Sequence, residues 1–155
     1  MIPRFKPDLG WSEFKAIFRR NRGAAERFEQ EFARAFQSVD AVAFPYGRSA
    51  QWAFFKALGI EDAEIIMPAY TCSVVAHAVS LSGNTPVFID INLDDYNMKL
   101  DDVESAVNEN TRAIIATHTF GYPQDLDHLE AIVESAEKQY GHKIWLMQDC
   151  CHAFG

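Results

Sequence analysis

The chain has 155 residues, of which 48% are hydrophobic and 13% aromatic, a composition that supports a folded core and excludes an intrinsically disordered protein. Its formal net charge is -8, with 22 acidic against 14 basic residues, which argues against binding to nucleic-acid backbones or anionic membranes. The length favours a single domain, the three irregularly spaced cysteines indicate a cytoplasmic protein, and neither a secretory signal nor a membrane span is predicted.

The first 40 residues are predicted to form an N-terminal arm over 1–10 and two helices. Ser12 is expected to cap the first helix, and the second is expected to span 24–37. Phenylalanines four positions apart mark one face of each helix: Phe14 and Phe18, then Phe28, Phe32 and Phe36. Stripes of this kind usually face a core, so the second stripe is expected to pack against the body of the protein.

From residue 41 onward, strand patterns alternate with helix patterns. Strands are predicted over 41–44, 64–67, 86–89, 113–117 and 144–147, and helices over 48–58, 71–81, 100–107 and 125–140. Crossover helices between successive strands imply a mostly parallel sheet with helices on both faces, a three-layer αβα architecture. No linker that would divide the chain in two is predicted.

The first predicted strand is followed by Gly47-Arg48-Ser49-Ala50 at the start of a helix. A helix N-terminus leaves backbone amides unpaired and carries partial positive charge, so a glycine and a hydroxyl there suit an anion such as a phosphate. Simple capping of the helix by Ser49 is the alternative.

Polar and aromatic residues also follow two other predicted strands. After the second, Tyr70 either stacks on a planar ligand or packs as a core aromatic, and Thr71 is positioned to cap the next helix. After the fourth, His118 either faces the crevice or holds its own loop by a hydrogen bond. Since ligands of open α/β sheets bind outside the carboxyl ends of the strands, both positions are candidate site residues.

The last predicted strand is followed by Asp149-Cys150-Cys151-His152. The aspartate is either a site residue or a helix cap. Adjacent cysteines do not have the spacing of zinc ligands, so two small residues in tight packing is the favoured interpretation. The glycine-rich dinucleotide and P-loop motifs and the G-x-S-x-G nucleophile motif are all absent.

Taken together, these loops resemble the DegT/DnrJ/StrS group of sugar aminotransferases, pyridoxal-phosphate enzymes of the aspartate-aminotransferase fold. The likeness runs from about residue 2 to the end of the chain, and its pieces are 47–50, 68–71, 86–91, 118–123 and 149–155. It implies that residues 1–40 are an arm with helices. It also implies that residues 41–155 are the first part of the large, cofactor-binding domain of a fold type I enzyme.

The resemblance assigns roles to individual residues. The segment 47–50 lies where the family holds the cofactor phosphate, Asp149 where an aspartate pairs with the pyridine nitrogen, and His152 near the 3-oxygen of the ring, as a catalytic residue. Arg48 stands where the family usually has threonine, and Cys72 where an aromatic side chain stacks on the cofactor. The implied cofactor-binding set is Gly47, Arg48, Ser49, Ala50, Tyr70, Cys72, His118, Asp149 and His152, with no metal.

The family's Schiff-base lysine has no counterpart among the six lysines up to Gly155, so the sequence is expected to be an inactive fragment or a truncated homologue. The implied activity transfers an amino group from glutamate or glutamine to a nucleotide-linked keto-sugar, in a homodimer. The alternatives are a lysine-less binding or scaffold protein and, on the same scaffold, a sugar dehydratase.

Overall fold

The computed structural model describes residues 10–18 and 22–153. The chain divides into two compact units, one ending at Ala43 and the other beginning at Phe44. The first contains helices α1 (Trp11–Ile17) and α2 (Ala24–Ala35). The second contains, in chain order, α3 (Gly47–Ala57), β1 (Glu64–Pro68), α4 (Ser73–Leu81), β2 (Thr85–Ile89), α5 (Leu100–Ala106), β3 (Thr111–Thr117), a 3-10 turn (Thr119–Gly121), α6 (Leu126–Tyr140) and β4 (Trp145–Asp149).

Both predicted helices of the first unit are present. The N-cap of α1 is Gly10 and not Ser12, because the Glu13 carboxylate accepts the Gly10 amide at 2.7 Å and the Ser12 hydroxyl donates to the same carboxylate. The prediction that Ser12 caps this helix is therefore wrong. Apart from Gly10, the predicted N-terminal arm lies outside the described residues.

The aromatic residues of the first unit follow the predicted stripes. The rings of Phe14 and Phe18 lie 5.3 Å apart, and those of Phe32 and Phe36 are stacked at 4.6 Å. Packing of the second stripe against the body of the protein stays a prediction.

Residues 41–44 are not a strand, which corrects the first strand prediction. A strand needs a hydrogen-bonded neighbour, and here the Ala43 amide instead donates to the Glu29 side chain at 2.8 Å.

The second unit is built on a parallel sheet with the strand order β2-β1-β3-β4. Helices α3 and α4 cover one face and α5 and α6 the other, so the predicted αβα architecture is confirmed. Within the described part of the chain, no helix has the length and apolar character needed to cross a bilayer.

The alternation of side chains along each strand separates the core into two clusters. Ile114 and Ala116 of β3 pack with Leu129 and Val133 of α6 on one face. On the other face, the neighbouring residues of β3 pack with helices α3 and α4; they are Ala113 and Ile115, and their helical contacts include Phe55, Val75 and Val79.

The amino edge of the sheet is closed by two amide side chains, buried Asn84 and half-buried Asn108. Asn84 accepts the Ala63 amide at 3.1 Å and donates to the Ile60 carbonyl at 2.8 Å and to the Ser82 hydroxyl at 2.9 Å. Asn108 donates to the Glu64 carboxylate at 2.7 Å. These bonds tie the loops that enter β1, β2 and β3 to one another.

Two helix starts differ in how well the sequence predicted them. Asp125 caps α6, since its carboxylate accepts the His128 amide at 3.1 Å, and the predicted helix began at that residue. Helix α4 has Cys72 as its N-cap, so the prediction that Thr71 caps it is wrong.

Candidate active site

The carboxyl edge of the sheet contains the point at which the strand order reverses. The chain passes from β1 outward to β2 and then returns to the other side of β1 to form β3. The loops that follow β1 and β3 therefore run in opposite directions and leave a crevice between them, the usual ligand site of an open α/β sheet.

Helix α3 packs on the sheet face that also carries α4. Its last turns pack against the amino edge, where Phe55 belongs to the cluster of Ile60 and Ala63 and Phe54 contacts Trp145, the first residue of β4. At the opposite end of the helix, Arg48 and Ser49 line a cavity together with His77 and Leu81 of α4.

The first turn of α3 has unused hydrogen-bond donors. The Tyr46 carbonyl accepts the amides of Ser49 at 3.0 Å and Ala50 at 3.2 Å, whereas the Gly47 and Arg48 amides donate to no other described residue. The N-cap is Tyr46, so the alternative that Ser49 merely caps the helix is wrong. The Arg48 guanidinium lies 4.2 Å from the centre of the Tyr46 ring and adds positive charge beside these amides.

Asp149 ends β4 on the face of the sheet that α3 and α4 cover. Met147, two residues earlier, packs in the cluster of that face, and alternation places Asp149 on the same side. Thr117 is its register partner on β3, and the Thr117 hydroxyl is buried without a hydrogen-bond partner. Helix α3 and the Asp149 carboxylate thus lie on the same face of the sheet.

The Asp149 carboxylate is half-buried and accepts the Cys151 amide at 3.2 Å. The interpretation of Asp149 as a helix cap is not supported, since the residues it binds form a turn. Its negative charge affects the two thiols beside it. The pKa of Cys151 is raised to about 11, first by desolvation of its thiol and then by the hydrogen bond and charge of Asp149, and desolvation also raises the pKa of Cys150.

The cysteines do not pack as the sequence suggested. Cys151 lies exposed and Cys150 is half-buried, so tight packing is wrong for Cys151. Cys72 is also exposed at the start of α4. Among the residues that the structure describes, no group of three or more histidine, cysteine or acidic side chains is placed to hold a metal ion.

His118 is buried and holds its loop. Its amide donates to the Asp149 carbonyl at 3.1 Å, and its Nδ1 accepts the Gln124 amide at 3.1 Å. Of the two roles left open by the sequence, the structure shows the loop-holding one. In the neutral ring the remaining proton then lies on Nε2.

His152 packs on the loop after β3. Its ring is parallel to that of Phe120 at 6.0 Å, and its Nδ1 accepts the Phe120 amide at 3.4 Å. A Cβ atom at Gly121, where φ is +85°, would lie 3.3 Å from the His152 carbonyl, so this close approach favours glycine. The neutral His152 ring carries its proton on Nε2, which faces away from the Phe120 amide.

Three aromatic rings from three loops meet at the carboxyl edge. Tyr70 follows β1, Tyr96 follows β2 and Phe120 follows β3; we call these three residues the aromatic corner. Their ring centres lie 5.7 Å apart for Tyr70 and Tyr96, 5.4 Å for Tyr96 and Phe120, and 6.3 Å for Tyr70 and Phe120. All three side chains are exposed.

The structure therefore brings Tyr70, His118, Asp149 and His152 to one edge. Sequence reasoning assigned no role to Tyr96 or Phe120. Phe120 lies inside a matched segment, but its position beside His152 depends on a backbone φ of +55°. Phenylalanine rarely adopts this conformation, so the sequence does not predict it.

An αβα unit with a crevice of this kind is one of the architectures that bind cofactors. The family model for the DegT/DnrJ/EryC1/StrS aminotransferase family matches residues 16–155, and the chain belongs to that family. Among curated relatives, it is 31% identical over 131 residues to the GDP-perosamine synthase of Escherichia coli O157:H7, covering 84% of this chain and 34% of the relative.

Solved structures agree with this assignment. The aminotransferase from Psychrobacter cryohalolentis superposes with a TM-score of 0.76 at 27% identity, over 86% of this chain and 32% of that one. A GDP-4-keto-6-deoxymannose-3-dehydratase with a trapped PLP-glutamate adduct superposes with a TM-score of 0.75 at 27% identity, over 84% of this chain and 34% of that one. The chain thus spans about a third of the length of these relatives.

Proposed function

We propose that the protein is a pyridoxal-phosphate-dependent aminotransferase that acts on a nucleotide-linked keto-sugar with glutamate or glutamine as amino donor. The observation that carries this proposal is that the Asp149 carboxylate ends β4 on the sheet face that α3 covers, and that the first turn of α3 has unused backbone amides. Family membership and the GDP-perosamine synthase relative support the reaction class and the nucleotide sugar. The assignment of residues 41–155 to a large cofactor-binding domain and the homodimer both stay predictions.

The start of α3 suits the phosphate of this cofactor. This helix end offers hydrogen-bond donors from two unused amides and the Ser49 hydroxyl, and a positive charge from the Arg48 guanidinium. Donors and positive charge together bind a phosphate. The structure shows no Cβ-sized obstruction at Gly47, so the phosphate is able to approach the backbone there.

Asp149 suits the ring nitrogen. Its Oδ1 accepts one amide, and a carboxylate at this position holds a proton on a pyridine nitrogen. When bound, pyridoxal phosphate supplies an electron sink, and the charge of Asp149 preserves that property by keeping the nitrogen protonated.

Two other predicted residues differ in what they offer. With Nδ1 of His152 accepting the Phe120 amide, its Nε2 proton would be available to donate a hydrogen bond to an oxygen of the cofactor ring. Cys72 offers no ring for stacking on the cofactor. The nearby aromatic side chain of Tyr70 is exposed at the same edge and takes part in binding instead.

Cofactor binding is the direct test. Pyridoxal phosphate is titrated against the chain, and binding is followed by the absorbance and fluorescence of the cofactor. Asp149→Asn is expected to weaken binding by about tenfold or more, because a charge-assisted pair is lost. Ser49→Ala is expected to weaken it by about threefold, since one neutral donor is removed.

Ser80→Ala is the matched control, because Ser80 is an exposed serine on α4. Equal affinities for wild type, Asp149→Asn and Ser80→Ala would contradict the proposed site. A wild-type chain with no affinity for pyridoxal phosphate would support instead the scaffold role that the sequence left open.

Sugar dehydration is a second candidate, because one superposing structure is a 3-dehydratase of a nucleotide-linked sugar. The two reactions share the cofactor and the substrate class. Incubating the whole protein with glutamate and a nucleotide-linked 4-keto-6-deoxyhexose separates them, since transamination yields an amino sugar and dehydration a 3-deoxy sugar.

A further inference from the structure

The aromatic corner holds its rings in a costly backbone conformation. Tyr96 and Phe120 have φ angles of +62° and +55°. Left-handed backbone is unfavourable for bulky side chains, and it persists only where the surrounding structure imposes it. The other two non-glycine residues with positive φ in the described ranges are Gln37 and Asp62, and aspartate tolerates this region better than an aromatic residue.

The two loops that present these residues are fastened to each other. Asn97 donates to the Pro123 carbonyl at 2.9 Å, and the buried Gln124 side chain accepts the Met98 amide at 3.0 Å. The backbone amide of Gln124 in turn donates to Nδ1 of His118. Hydrogen bonds between the two loops therefore fix the backbone on which Tyr96 and Phe120 stand, while their rings remain exposed. This is the arrangement of a preformed binding surface.

The shape of the corner favours a puckered ring over a flat one. The planes of Tyr70 and Tyr96 are inclined by 35°, those of Tyr70 and Phe120 by 51° and those of Tyr96 and Phe120 by 86°. A flat base is able to stack on only one of these rings. A hexose carries C–H groups on its faces and edges and is able to contact more than one ring.

The polar atoms of the corner point to the same ligand. The hydroxyls of Tyr70 and Tyr96 make no hydrogen bond to any described residue, so they are available for the hydroxyl and keto oxygens of a sugar. Phe120 also contacts His152, which lies three residues after Asp149. In a nucleotide-linked sugar, the sugar is the part that reacts at the cofactor, and the diphosphate keeps the base at a distance. The part of the substrate expected beside Asp149 and His152 is therefore the sugar.

We propose that Tyr70, Tyr96 and Phe120 form the subsite that holds the hexose ring of the nucleotide-sugar substrate. This assignment rests on the proposed function, and it names the residues that recognise the sugar. Phe120 packs against the apolar face of the ring, and the two tyrosines bind its oxygens.

The test uses saturation-transfer NMR on the whole 155-residue chain with pyridoxal phosphate present and GDP-mannose as the probe. The strongest transfer is expected at the hexose ring protons and weaker transfer at the guanine H8 proton. Phe120→Leu is expected to lower the affinity for GDP-mannose about fivefold while leaving that for GDP unchanged, because one aromatic contact to the sugar is lost. Tyr70→Phe keeps the ring, removes one hydroxyl and is expected to lower the affinity about threefold.

Tyr122→Leu is the matched control, since Tyr122 is an exposed aromatic residue two positions from Phe120 and lies outside the corner. Circular dichroism checks that each variant is folded. Three results would each overturn the proposal. They are transfer concentrated on the guanine protons, an equal loss of GDP-mannose affinity in Phe120→Leu and Tyr122→Leu, and no transfer from the wild-type protein to GDP-mannose. The cofactor titration with Asp149→Asn leaves Tyr70, Tyr96 and Phe120 unchanged, and Phe120 has no assigned role in cofactor binding, so the Phe120→Leu result distinguishes failure of the sugar subsite from failure of the proposed function.

Discussion

The two edges of the sheet differ in how their buried polar groups are satisfied. At the amino edge, the side chains of Ser82, Asn84 and Thr111 all have hydrogen-bond partners. At the carboxyl edge, polar atoms of Asn97, Thr117 and Thr119 are buried without any partner in the described residues. The strained aromatic residues also lie at the carboxyl edge.

This difference indicates a division of labour within one small sheet. A satisfied network of amide side chains stabilises the folded state, whereas unpaired polar groups and left-handed aromatic residues destabilise it. Destabilising groups of this kind are retained where a ligand binds to them. We therefore infer that the amino edge stabilises the fold and that the carboxyl edge binds the ligands. Three substitutions test whether the two edges behave in this way.

The largest effect is expected at the amino edge. Asn84→Ala removes three buried hydrogen bonds and leaves the Ala63 amide and the Ile60 carbonyl without their partner. We expect the free energy of unfolding to fall by about 3 kcal/mol, measured by urea denaturation. The exposed Asn110→Ala is the control, with an expected change below about 0.5 kcal/mol. A loss below about 1 kcal/mol for Asn84→Ala would remove the distinction between the edges.

An intermediate effect is expected beside Asp149. Its charge and hydrogen bond help to raise the pKa of Cys151 to about 11, so at pH 8 little of the thiol is ionised. Asp149→Asn lowers that pKa and raises the thiolate fraction, and we expect iodoacetamide to alkylate Cys151 about three- to tenfold faster. Peptide mass spectrometry measures the rate, with Cys72 in the same sample as the control. An unchanged rate would show that the Asp149 charge does not act on this thiol.

The smallest change in stability is expected in the aromatic corner. Phe120→Gly relieves the left-handed conformation, but it also removes ring contacts and adds flexibility to the unfolded chain. Because these terms oppose one another, we expect the free energy of unfolding to change by less than about 1 kcal/mol. Urea denaturation alongside Asn84→Ala gives the comparison directly. A loss as large as that of Asn84→Ala would mean that Phe120 is structural.

Much of the fold was readable from the sequence because its signals are local. Apolar runs such as 64–67 predicted buried strands, and Gly59 and Gly141, with φ of +65° and +72°, mark the ends of helices as expected. Residues 41–44 carry the same kind of apolar pattern without forming a strand. Whether such a segment joins a sheet depends on a partner strand, which local pattern does not encode.

The candidate site was predicted in part. Asp149 and the segment 47–50 were identified by their position at element ends and by resemblance; Asp149 ends β4 and the segment begins α3, as expected. The aromatic corner was not identified. It depends on two positive φ angles and on contacts between three loops, and neither is visible in residues that look like ordinary loop aromatics.

The strand order also has a consequence for how the chain acquires its fold. The central pairing joins Glu64 of β1 to Thr111 of β3. The segment between these two strands contains α4, β2 and α5, and it forms a long loop that must close before the strands can pair. Contacts between distant parts of a chain delay folding, because the intervening segment loses entropy before any bond compensates it. During refolding, hydrogen-exchange protection should therefore develop in α6 ahead of the β1–β3 ladder.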